Sequence, residues 1–303
     1  MKNIQKLIIA VLAVSISYAS SANAKLSVVT TTTDLKALVD EVGGEFVNAD
    51  CIAKGTQDPH FIEAKPSYMT KMSKADLVVA VGLDLEVGWL PSIVRGARNP
   101  KINPGNSGYL EIGPGVDPLE VPTGKISRSE GDVHPFGNPH FSLDPIRMGT
   151  GAILLADKLG QLDGAHKAQF TEKAKAFQAR MQAKTAAWQA RITKSGVKKA
   201  VSYHKTLTYF FERFHIENPA ILEPKPGIPP TSGHILDVIR IIKEEKIPLI
   251  LVENYFDPTV TNRIKEEIPA IRTATVAVAV DGAPNVKTLD DLYESLVVAV
   301  EGK

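Results

Sequence analysis

Between Asp163 and Ser195 the apolar residues fall at helical intervals. Phe170, Ala174, Phe177, Met181, Trp188 and Ile192 follow one another at spacings of four, three, four, seven and four, which puts them on one face of an α-helix. The positions between them are mostly Lys, Glu, Gln, Arg and Ala, which are good helix formers. No Pro falls between Asp163 and Lys194, and Gly196 stands where a helix commonly ends. Roughly 30 residues rising ~1.5 Å each span about 45 Å, more than one small domain needs. The stretch reads as a strut between two globular units. A coiled-coil partner helix is the alternative, but the stripe lasts barely four heptads and its flanks look globular.

On both sides of the strut, apolar β-branched runs alternate with helical patterns. Upstream, Leu26–Thr31, Val47–Ala53 and Leu77–Val81 read as strands, with helices over Asp34–Val42, Lys65–Ser73, Leu85–Ala97 and Pro145–Leu159. Residues 99–139 are rich in Gly and Pro and read as irregular surface structure. Downstream, Lys198–Ser202, Ala220–Leu222, Ile247–Val252 and Arg272–Val280 read as strands, with helices over Leu207–Phe214, Ser232–Glu245, Thr259–Glu267 and Leu289–Val300. Such alternation predicts parallel sheets. The expected fold is α/β: two lobes, each with a mostly parallel sheet, bridged by one long α-helix. The expected boundaries are a signal peptide over 1–24, an N-terminal lobe over 25–160, the linking helix over 161–196 and a C-terminal lobe over 197–303.

Composition narrows the function. The chain carries 35 basic against 34 acidic residues, so nothing marks it for nucleic acid or an anionic membrane surface. Lys2 and Lys6 precede an apolar run from Leu7 to Ile16, and Ser-Ala-Asn-Ala ends at Ala24. That is the pattern of a cleavable export signal, too short to span a bilayer as a stable helix. With no Cys near the cleavage point, the expectation is a free periplasmic protein without a lipid anchor. The single Cys51 cannot form an internal disulfide and reads as a buried strand residue.

The chemistry lies in the histidines. Two of the seven share a local pattern, Asp58-Pro-His60-Phe and Asn138-Pro-His140-Phe. Proline stiffens each segment, so each imidazole is presented along a set direction. Ligands of open α/β sheets bind at the carboxyl ends of strands, and His60, His204 and Asp281 lie at or just past such ends, with His140 before a helix. Three imidazoles and one carboxylate suit Zn²⁺, whereas Mn²⁺ prefers more oxygen donors. Imidazole binds as the neutral base, so affinity is expected to fall below about pH 6. A closed shell of four ligands leaves no position for a reacting substrate, so an enzyme is not expected. A zinc-dependent hydrolase with a three-His site is the alternative; it would need a general base, for which Glu63 or Asp281 is available.

The chain resembles the metal-binding solute-binding proteins of ABC transporters, the zinc/manganese uptake group (cluster A-I), over nearly all of its mature length. The resemblance is carried by Thr-Thr-Thr-Asp34, Asp-Pro-His60-Phe-Ile-Glu-Ala-Lys-Pro-Ser67, Gly-Asn-Pro-His140-Phe-Ser-Leu-Asp-Pro145, Tyr-His204 and Glu-Pro-Lys-Pro-Gly-Ile-Pro-Pro230. It implies two α/β lobes joined by one long helix, with Zn²⁺ as transported ligand in the cleft between them. It implies metal ligands at His60, His140, His204 and Asp281, with Glu253 or water as alternatives to Asp281, whose local run Val-Asp281-Gly-Ala-Pro284 departs from the family pattern. It implies an ABC-transporter membrane permease as partner, with a periplasmic metallochaperone as a further candidate, and a monomer. A manganese-binding receptor or an adhesin-like protein of the same family is the alternative. The long His-rich loop of many zinc members is missing here. His134, the one His left in that region, reads as a transient ligand or a plain loop residue. Asp144 and Glu63 are expected to orient the ligands or neighbouring backbone, and Trp89 and Trp188 to belong to the core. His166, His215 and His234 are expected to be structural or solvated.

Overall fold

The computed structural model describes residues 24–124, 134–225 and 227–302. Two parallel sheets are joined through one long helix. The first sheet has strands β1 (Leu26–Thr30), β2 (Val47–Cys51), β3 (Leu77–Ala80) and β4 (Tyr109–Glu111), in the order β2-β1-β3-β4, all parallel. Its helices are α1 (Thr33–Gly43), α2 (Pro66–Met72), α3 (Leu90–Ala97) and α4 (Pro145–Leu162). β1 and β3 are central, and β3 is buried along its whole length, as parallel strands covered on both faces must be.

The strut is α5 (Lys167–Ser195). All six residues of its apolar stripe are buried. It packs along α4 and also touches α1, and it meets the second lobe at α9 (Leu289–Glu301). Trp188 donates from its indole to Glu294 on α9 at 2.9 Å, and Arg191 grips Glu294 and Glu301. Gly196 closes the helix with φ +76°, a left-handed conformation that favours glycine. The helix begins at Lys167, four residues later than the periodicity alone suggests. His166 instead stacks on Phe46 at 4.0 Å and bonds Asp163 in a 3₁₀ turn.

The second sheet has strands β5 (Val201–Ser202), β6 (Leu249–Glu253) and β7 (Arg272–Val276) in that order, also parallel, with α6 (Thr208–Phe214), α7 (Ser232–Glu245) and α8 (Thr259–Glu267) before α9. Trp89 and Trp188 are both core residues. His215 caps α6 in a left-handed conformation, and His234 sits in the first turn of α7, its ring bonded to the Ile221 carbonyl.

Several expectations change. Ala220–Leu222 is not a strand but makes a single parallel bridge, Ile221 to Ser202. The Gly- and Pro-rich stretch contains β4, whose three residues are too few to show a period. α3 starts at Leu90, because Leu83 and Asp84 both have positive φ and Pro91 fits only a first turn. Cys51 is half-buried on an edge strand, not enclosed. Among the described residues no helix is long and apolar enough to cross a membrane. The signal peptide expected over 1–24 lies outside the described residues except for Ala24.

Candidate metal centre

The three histidines His60, His140 and His204 converge between the two sheets. Each offers one ring nitrogen, and the three nitrogens lie within 4.8 Å of one another. Ring centroids are 5.2 Å apart for His60 and His140, 5.7 Å for His60 and His204, and 5.5 Å for His140 and His204. His140 and His204 are buried, and the His60 side chain is 9 % exposed. A cavity of about 220 Å³ beside them is lined by Asp58, His60, His204, Glu223 and Phe256, among others.

Each imidazole is positioned by its own local structure. In the first Pro-His loop, Asp58 Oδ1 accepts the His60 backbone N–H at 3.0 Å and also meets His60 Nδ1 at 2.7 Å. The second loop repeats the backbone half of this turn: Asn138 Oδ1 accepts the His140 N–H at 2.9 Å. Side-chain-to-backbone turns of this kind are what Asp and Asn favour. His204 follows directly on β5. Its Nδ1 is held by Glu223, and its backbone N–H is accepted by Glu253 at 3.2 Å. A carboxylate at Nδ1 fixes the tautomer and turns Nε2 outward as the donor.

His140 differs. Its Nε2 is buried and has no hydrogen-bond partner among the described residues. Burial, with the neighbouring His60, His204 and His134, holds its pKa well below the ordinary histidine value. It therefore stays a neutral base, the form that binds a metal. An orphaned buried nitrogen is costly, and a cation among the three rings would satisfy it.

The expected carboxylates are elsewhere. Asp281 lies in a turn at φ +61°, and its Oδ1 pairs with Lys287 Nζ at 2.7 Å on a half-exposed side chain. The reason is that β7 ends at Val276. The Val280 backbone is then clamped by the first lobe, with Asp34 accepting its N–H at 2.7 Å and Thr33 donating to its carbonyl at 2.6 Å. Gly55 is packed against the same turn so closely that a Cβ there would lie 2.1 Å from the Val280 oxygen. Glu253 is fully buried behind His204, where burial pushes its pKa up to about 8, and it lies outside the group of three histidines. Asp144 does not touch the histidines. It caps α4 and pairs with Arg147 and, across the lobes, Arg213. Glu63 is exposed beside Lys65. The carboxylates that hold the histidine rings are those of Asp58 and Glu223. Asp58 was signalled by its spacing, two residues before His60 as Asn138 is before His140; Glu223, 19 residues from His204, had no local signal.

His134 is not one of the three whose donor atoms lie within 4.8 Å of one another; it stands beside His60. Its Nε2 lies 3.1 Å from His60 Nε2, with ring centroids 5.2 Å apart.

Residues 28–299 match the family described as zinc-uptake complex component A, periplasmic. The metal ABC transporter substrate-binding lipoprotein ScbA of Streptococcus cristatus is 25 % identical over 246 residues, 80 % of this chain and 76 % of that protein. The zinc-binding lipoprotein AdcA of Streptococcus pneumoniae is 23 % identical over 260 residues, 84 % of this chain and 50 % of its own length. In fold, the solute-binding protein FpvC of Pseudomonas aeruginosa, solved with Mn²⁺, superposes with a TM-score of 0.75 at 22 % identity, covering 92 % of this chain and 99 % of that one. The family match and these relatives make the chain a metal-binding solute-binding protein of an ABC transporter, a transport component that works with a membrane permease and not an enzyme. The chain belongs to the family of the zinc-uptake complex component A. One expectation is overturned here: ScbA and AdcA are both named lipoproteins, so a localisation without a lipid anchor does not stand.

Proposed function

We propose that this chain captures Zn²⁺ with His60, His140 and His204 and delivers it to its permease. The observation that carries the reading is the donor set: three ring nitrogens within 4.8 Å of one another and, among the described residues, no carboxylate oxygen in the group. Imidazole suits Zn²⁺, whereas Mn²⁺ favours oxygen. Two of the three rings already have their donor atoms set by Asp58 and Glu223, which lowers the reorganisation required on binding. All three donors come from one chain, so a monomer suffices.

Calorimetric titration of the metal-stripped protein with Zn²⁺, and separately with Mn²⁺, tests this. One tight zinc equivalent with much weaker manganese binding is expected, and His140→Ala should abolish the tight phase. Tighter binding of manganese would refute zinc as the cargo.

A further inference from the structure

We propose that His134 is the fourth metal donor, closing an all-imidazole shell with His60, His140 and His204. This rests on the reading of those three as ligands. The geometry points to it in three ways. First, a tetrahedral zinc ion with bonds of ~2.0–2.1 Å sets its donor atoms roughly 3.3–3.4 Å apart. The His60 and His134 Nε2 atoms are 3.1 Å apart, and their rings are separated by the same 5.2 Å as His60 and His140.

Second, both rings are held from outside the cluster. Asp58 engages His60 Nδ1 and the Leu83 backbone hydrogen-bonds the His134 ring, while the two Nε2 atoms face each other, as two donors to one ion would.

Third, among the described residues no neighbouring carboxylate is better placed. Asp281 is paired with Lys287, Glu253 accepts the His204 backbone N–H, and Asp58 and Glu223 are committed to the far side of the ligand rings. A fourth nitrogen in place of an oxygen would sharpen the preference for zinc over manganese.

The test compares wild type, His134→Ala and His134→Gln as metal-stripped full chains. Zinc affinity is read by competition with a chromophoric chelator, manganese affinity by calorimetry, and the coordination shell by X-ray absorption of the zinc-loaded protein. His134 as donor predicts four imidazoles in wild type and three in each variant. Zinc affinity falls roughly 100-fold, while manganese affinity barely moves. Unchanged zinc affinity with three imidazoles throughout would overturn the proposal and leave the three-His site standing. Tighter zinc in the variants would also overturn it, because His134 would then be competing with the metal for His60. Wild type lacking any tight zinc would overturn both readings together.

Discussion

The two Pro-His loops begin from the same turn and diverge at one atom. In both, an Asx Oδ1 accepts the N–H of the histidine two residues on. Asp58 uses its carboxylate a second time, on the His60 ring. Asn138 instead spends its amide N–H groups on Glu120 at 2.9 Å and on the Lys205 carbonyl at 3.0 Å, while its backbone carbonyl accepts from Tyr209 Oη at 2.6 Å. His60 is thus aimed by its own loop. His140 is placed by a seam between the lobes, because Lys205 and Tyr209 follow β5. An acid beside the ring tunes a ligand, whereas an amide at the same position ties two lobes together. This predicts that the same loop position controls affinity in one case and stability in the other.

The largest effect should come from Asn138→Ala. It strips partners from the buried His140 N–H and the Lys205 carbonyl, each costing about 1–3 kcal/mol when left unsatisfied. Denaturant unfolding should show a loss of roughly 2–4 kcal/mol, with weaker zinc binding as a consequence. Asp58→Asn keeps the turn and removes only the charge behind His60. Zinc affinity should drop by about 10–100-fold in competition assays, with stability of the metal-free fold nearly unchanged. Glu223→Gln should behave alike at His204. If Asp58→Asn unfolds the protein while Asn138→Ala spares it, the contrast is backwards.

A smaller effect distinguishes the rings by pH. Burial depresses the His140 pKa in the folded state, so below the ordinary value of about 6.5 the unfolded chain takes up a proton that the native state refuses. The metal-free protein should therefore be most stable above that pH and lose stability as pH falls, by up to about 1.4 kcal/mol per unit from this group. Thermal unfolding of His140→Gln between pH 7 and 5 should show a shallower decline than wild type, and an equal slope would exclude His140 as the source. Smallest of all is Asp281→Ala. It breaks an exposed pair with Lys287, worth about 0–1 kcal/mol, and should leave zinc affinity within roughly twofold. A large loss of affinity there would return Asp281 to the site.

The strut was legible because its signal is local and repeated: six apolar residues on a polar helix, and all six are buried. The two Pro-His loops were legible for the same reason. The rest of the site is made by contacts across long stretches of chain. Glu223 reaches His204 across 19 residues and Asp34 holds Val280 across 246. That second contact sets where Asp281 points. A run of β-branched residues predicts a strand to Val280, but the first lobe takes the Val280 backbone groups, the strand stops at Val276, and the following turn directs the carboxylate to Lys287. His134 could be singled out by composition alone, but its approach to His60 spans 74 residues and carries no sequence mark.

On the proposed function, zinc sits among the three histidine rings. Anomalous diffraction at the zinc edge from crystals of the zinc-loaded protein tests this directly. One strong peak is expected about 2.0–2.1 Å from a ring nitrogen of each of His60, His140 and His204. A peak centred on Asp281, or elsewhere than among these rings, would contradict it.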